Sequence, residues 1–155
     1  MSVAHVGDSR AYRLRDNELE QLTRDHSLVA EQVRHGELTE EEGSASELQN
    51  VLLRGLGIEA EVEVDVTDEL LVEGDVILLC TDGLTHEVPD GQIESILRSA
   101  SDAQQAADQL VDAANQAGGR DNITAIVVRP FSQRPGAFSR AGRLGKWLRS
   151  LGDQS

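Results

Sequence analysis

Hydrophobic and polar positions along the 155-residue chain follow two periods, and the period switches several times. Val3 to Val6 reads as a strand. After a turn at Gly7-Asp8, Tyr12 and Leu14 alternate with Ala11, Arg13 and Arg15 along a second strand, Arg10 to Arg15. Asp16-Asn17 is a turn signal, and Glu18 to Thr23 is the partner strand of a hairpin. From Ser27, whose hydroxyl suits an N-cap, Leu28, Val29, Gln32 and Val33 keep to one helical face until His35-Gly36 stops it. Thr39 to Glu42 has capping-box spacing, Gly43 to Asn50 reads as loop, and the alternation of acid and valine over Glu61 to Val66 predicts a half-exposed strand.

The most apolar stretch, Val76 to Cys80, runs through Thr81 into Asp82-Gly83. So short a run predicts a strand buried on both faces, stopping at Asp82. Pro89-Asp90 opens a short helix through Ile93, Ile96 and Leu97, with Asp90 as its cap. The longest helix opens at Ser101-Asp102 and carries Ala103, Ala106, Ala107, Leu110, Val111, Ala114 and Ala117 on one face before Gly118-Gly119 ends it. Small side chains let such a helix lie close against a sheet. Ile123 to Val128 is the last strand. The pattern predicts one domain over residues 1–129 and a linker and tail over 130–155.

Charge divides the chain at the same place. The net charge is −14, but the segment from Arg129 holds six Lys or Arg against one Asp, leaving −19 on residues 1–128. A body so acidic repels a phosphate backbone, which excludes nucleic acid as its partner, whereas divalent cations relieve the repulsion. In the tail, Leu144, Trp147, Leu148 and Leu151 recur at helical spacing among Arg140, Arg143, Lys146 and Arg149. Two readings stay open: a basic amphipathic helix that touches an anionic membrane or an acidic surface, or a frayed end weakened by Gly142 and Gly145. The single cysteine, Cys80, cannot form an intramolecular disulfide and suits a reducing compartment. With no apolar stretch near the ~20 residues of a membrane span and no secretory pattern at Met1, a cytoplasmic location is expected.

Three strand-like runs adjoin an aspartate: Val3–Val6 leads to Asp8, Val76–Cys80 to Asp82, and Asp121 precedes Ile123–Val128. If the strands are neighbours, the three carboxylates converge at one rim, where oxygen-only ligation points to Mg²⁺ or Mn²⁺ rather than zinc. Each aspartate taken alone reads as ordinary turn chemistry, and the metal reading rests on the three occurring together.

The motifs GDSR (Gly7–Arg10), TRDHS (Thr23–Ser27), TDGL (Thr81–Leu84) and GRDNIT (Gly119–Thr124), in that order, resemble the later motifs of the metal-dependent protein phosphatases of type 2C, in their bacterial form. The resemblance implies an α+β fold, the four-layer α-β-β-α sandwich of that family, here partial because Met1 falls where the second half of the domain would begin. It also implies phosphoserine and phosphothreonine proteins as substrates, an opposing serine/threonine kinase, and a Mn²⁺ or Mg²⁺ centre that activates water without a covalent phosphoenzyme.

Carried over by position, Asp82 and Asp121 would be direct metal ligands and Asp8 part of a weaker third site. Gly83 and Asn122 would support them, Asn122 through its side chain. His86 stands where the family often has an aspartate, so that third site should be weakened. Arg10 would order its turn, and Asp25-His26 would be a hydrogen-bonded pair at a strand end. The family's general acid and phosphate-binding arginine have no counterpart among these residues. Two alternatives remain: a non-catalytic relative that binds partners through its acidic surface, and a regulatory domain using the cation only for structure.

Overall fold

The computed structural model describes residues 1–130, so the segment expected to hold the basic amphipathic helix lies outside the described residues. Eleven elements follow in order: β1 (Ser2–His5), β2 (Arg10–Arg15), β3 (Glu18–Gln21), α1 (Leu28–Arg34), α2 (Glu40–Ser44), β4 (Asp65–Asp68), β5 (Val76–Cys80), α3 (Asp82–Thr85), α4 (Asp90–Ser99), α5 (Ala103–Ala117) and β6 (Ala125–Val128).

All strand pairs are antiparallel, in a four-stranded sheet of order β3-β2-β5-β6 and a two-stranded sheet of β1 and β4. The β2–β3 hairpin turns as expected at Asp16 and Asn17, both with positive φ (51° and 67°), the backbone that a two-residue hairpin demands. β1 is not part of that hairpin. It crosses to the second sheet and pairs with β4, Ser2 opposite Asp68 and His5 opposite Asp65.

Helices α4 and α5 cover one face of the larger sheet. Tyr12 and Leu14 of β2 and Val76, Leu78 and Cys80 of β5 point into this core, where they meet Ile93, Leu97, Ala106, Leu110 and Ala114. The alanine face of α5 is therefore the buried one, and Asp102 caps the helix by accepting from the Gln105 N–H at 2.8 Å. Arg129 closes the far end of the layer, donating to the Leu97 and Ala100 carbonyls at the end of α4.

The opposite face is less covered, and β5 is buried on both faces only in part, since Ile77 is buried on the side where Leu79 is open. Leu79 is 40 % exposed, Ile126 52 % and Val128 46 %. Leu79 and Ile126 line a cleft of about 230 Å³ between β1 and the four-stranded sheet.

Several boundaries differ from the sequence pattern: β1 is Ser2–His5 rather than Val3–Val6, and β6 is Ala125–Val128 rather than Ile123–Val128. β4 lies at Asp65–Asp68 rather than Glu61–Val66, because pairing with β1 selects its register. β3 ends at Gln21, Thr23 being used instead to accept the Ala11 N–H on its hydroxyl. Helix α2 takes in Gly43 and Ser44. Pro89, not Asp90, is the N-cap of α4, and the Asp90 carboxylate accepts from the Tyr12 hydroxyl at 3.2 Å.

Candidate metal centre at the sheet rim

The strand order decides where the aspartates go. Arg10 at the start of β2 lies opposite Cys80 at the end of β5, and Cys80 lies opposite Ala125 at the start of β6. Asp8, Asp82 and Asp121 therefore leave three adjacent strands at the same rim.

Asp82 opens α3, a helix that the apolar run did not announce. It is half-buried, and its Oδ1 accepts from the Gly83 N–H at 2.9 Å. Asp8 is half-buried in the loop between β1 and β2. Its carboxyl is pushed above the ordinary range, first by burial and then by the Asp82 carboxylate, with His86 acting weakly the other way. The two acids thus stand within electrostatic reach of each other, an arrangement that a cation would relieve.

Asp121 is exposed, and its Oδ1 accepts from the Asn122 N–H at 2.6 Å. Asn122 thus bonds its neighbour through its main-chain N–H. Its carbonyl in turn accepts from the Thr81 hydroxyl at 3.1 Å. His86 is the exposed C-cap of α3, its N–H donating to the Asp82 carbonyl at 2.9 Å.

Carboxylate oxygens are the right donors for a hard cation. Their number falls short. Among the described residues, no three His, Cys, Asp or Glu side chains are grouped closely enough to hold a metal ion.

The neighbouring residues have other tasks. Arg10 grips Asp25 with Nε at 2.9 and 3.1 Å and Nη2 at 2.7 Å, and gives Nη1 to the Tyr12 hydroxyl at 2.9 Å. Asp25 and His26 do not pair with each other. His26 Nδ1 accepts the Gly7 N–H at 3.2 Å, which leaves Nε2–H to face Asp65 at 3.3 Å. Two features had no signal in the sequence. His5 is buried against the His26 ring, 4.8 Å between centroids, with neither ring nitrogen partnered among the described residues. Glu87 and Arg120 pair at 3.0 Å beside the Asp121 loop.

Residues 15–131 match the family described as Stage II sporulation protein E (SpoIIE). The serine/threonine phosphatase stp of Listeria welshimeri is 47% identical over 126 residues, which are 81% of this chain and 50% of that protein. Among solved structures, the PPM Ser-Thr phosphatase MsPP of Mycobacterium smegmatis, in complex with cacodylate, superposes with a TM-score of 0.76 at 38% identity, over 84% of this chain and 56% of that one. The catalytic domain of the phosphatase PstP, in complex with two manganese ions, gives a TM-score of 0.70 at 36% identity, over 81% and 51%. The chain spans about half the length of the curated relatives it matches. By four motifs in order, by fold and by relatedness over most of its length, the chain belongs to the PPM, or type 2C, family of bacterial protein phosphatases.

Proposed function

We propose that this chain carries the metal-binding part of a protein serine/threonine phosphatase domain, which hydrolyses phosphoserine and phosphothreonine esters in protein substrates. The observation that supports the reading is that Asp8, Asp82 and Asp121 leave adjacent strands at one rim, with Asp8 and Asp82 close enough for one to raise the other's pKa. In this reading Asp82 and Asp121 are direct ligands of Mn²⁺ or Mg²⁺. Asp8 belongs to a weaker third site, to which His86 adds a softer donor. The Gly83 and Asn122 N–H groups each hold one carboxylate oxygen, leaving Oδ2 of Asp82 and Asp121 outside those bonds. When bound, a hard divalent cation lowers the pKa of a water it holds and offsets charge on the phosphoryl oxygens.

The domain is taken as residues 1–129 and the basic segment 130–155 as its tail. The remaining metal donors come from polypeptide beyond these residues, a view supported by the short ligand set and by the apolar face that Leu79, Ile126 and Val128 present. A serine/threonine kinase would supply the phosphorylated substrate. A reducing, cytoplasmic setting suits the buried, unpaired Cys80.

The test is Mn²⁺-dependent hydrolysis of a phosphopeptide by the protein as its organism makes it. The Asp82→Asn variant should lose that activity, and hydrolysis unaffected by the change would remove the mechanism. The competing reading, a non-catalytic member that takes a cation only for structure, predicts a different outcome. Calcium would then raise the melting temperature as well as manganese does, with no turnover.

A further inference from the structure

Asp82 and Asp121 come from segments nearly forty residues apart, each beyond the end of its strand, where the ladder no longer governs position. Metal ligands nevertheless have to be held to within about 0.5 Å of the productive geometry. A clasp between the two segments supplies the restraint.

The last regular pair of the β5–β6 ladder is Cys80 opposite Ala125. One step further, the Thr81 N–H still donates to the Thr124 carbonyl at 3.1 Å. The return bond is different, because the Thr124 N–H donates at 3.0 Å to the Thr81 hydroxyl oxygen. That hydroxyl itself donates to the Asn122 carbonyl at 3.1 Å. A side chain has replaced the main chain in the ladder, so β5 can turn into α3 while the loop bearing Asp121 stays fastened. The hydroxyl's one proton and an acceptor lone pair are both used.

Gly83 completes the clasp. A Cβ built there would stand 2.5 Å from the Asn122 carbonyl oxygen and 3.0 Å from its carbon. The Asp121–Asn122 backbone therefore runs directly over the first turn of α3, at a separation only glycine allows. The Glu87–Arg120 pair lies alongside, but Arg120 is 81% exposed, and an ion pair so open to solvent adds little hold.

We propose that Thr81 and Gly83 are positioning residues, which touch no substrate but set the placement of Asp121 against Asp82 and through it the affinity for the cation. The inference rests on the proposed metal reading of those two aspartates. A serine at position 81 keeps the hydroxyl, whereas valine keeps the shape and leaves the Thr124 N–H and Asn122 carbonyl without partners.

The experiment uses the protein as its organism makes it, in four forms besides wild type: Thr81→Ser, Thr81→Val, Gly83→Ala and Asp82→Asn. Mn²⁺ affinity is read by water-proton relaxation and protection of the Thr124 amide by hydrogen exchange in EDTA. Thr81→Val and Gly83→Ala should each weaken Mn²⁺ binding by about tenfold or more, as loss of an outer support typically does. Thr81→Val should also release the Thr124 amide, and Thr81→Ser should restore both readouts. Should Thr81→Val fail to fold, Gly83→Ala decides the question, because it displaces the loop without removing a hydrogen bond. Wild-type Mn²⁺ affinity in a folded Thr81→Val protein whose Thr124 amide exchanges freely would overturn the inference while leaving the metal reading intact. Equal Mn²⁺ binding by wild type and Asp82→Asn would overturn the metal reading, and the clasp's role with it.

Discussion

The ion pair of Arg10 with Asp25 offers a sharp test of which charged residues at the rim serve the fold and not the cation. Asp25 accepts from both Nε and Nη2 of Arg10 and from Gln21 Nε2 at 2.9 Å. Its side chain is 11% exposed and that of Arg10 26%. Asp25→Ala leaves a half-buried guanidinium whose one other side-chain partner among the described residues is the Tyr12 hydroxyl. Breaking a fully buried pair costs ~3–5 kcal/mol and an exposed one under ~1 kcal/mol, so partial exposure points to ~2 kcal/mol here. For a domain of this size that corresponds to a fall in melting temperature of ~6–10 °C.

A double-mutant cycle with Arg10→Ala, followed by urea unfolding, should return most of that energy as coupling. Arg10→Lys should not rescue, since an ammonium cannot reproduce the planar two-point grip. If the pair serves only the fold, the loss is the same in EDTA and in excess Mn²⁺. A coupling below ~0.5 kcal/mol, or a loss that appears only with Mn²⁺, would refute this assignment.

Three further outcomes follow from the packing and the titrations. Arg15 donates to both Asp75 oxygens at 2.8 Å and holds that carboxyl at about 2, below its ordinary 3.8. The unfolded chain therefore binds this proton first, and the stabilisation is full above about pH 4 and drains away between about pH 4 and pH 2. The urea-midpoint gap between wild type and Asp75→Asn should narrow over that interval, and a gap constant from pH 6 to pH 2 would contradict the account. Burial pushes the Cys80 thiol up to about 12, so a disulfide reagent at neutral pH should label it only as fast as the protein opens, and complete labelling of the native protein within minutes would show the strand to be accessible. Leu110→Ala should cost ~3 kcal/mol because Leu110 is fully buried, whereas Leu79→Ala, on the open face, should cost under ~1 kcal/mol, and calorimetry returning equal losses would mean that face is covered.

What could be read from the residues alone was what short-range forces decide. Ser27, Thr39 and Asp102 cap their helices through bonds spanning three residues, and the Asp16-Asn17 turn and the alanine face of α5 follow from local backbone and periodicity. The motifs around Asp8, Asp82 and Asp121 were legible for the same reason, since each is a contiguous string.

Tertiary structure decided everything that depends on which strand lies beside which. The alternation over Glu61 to Val66 fits several registers, and only pairing with β1 puts the strand at Asp65–Asp68. The apolar run at Val76 does not reveal that Leu79 faces an open cleft, and Asp90 looks like a cap until Tyr12 reaches it from another strand. The rim itself belongs here too. Asp8 meets Asp82 because β2 lies against β5, and Thr81 can hold the Asp121 loop because β5 lies against β6. A capping bond is settled by neighbours in the chain, but a contact across forty or seventy residues exists only once the whole core has selected one set of pairings.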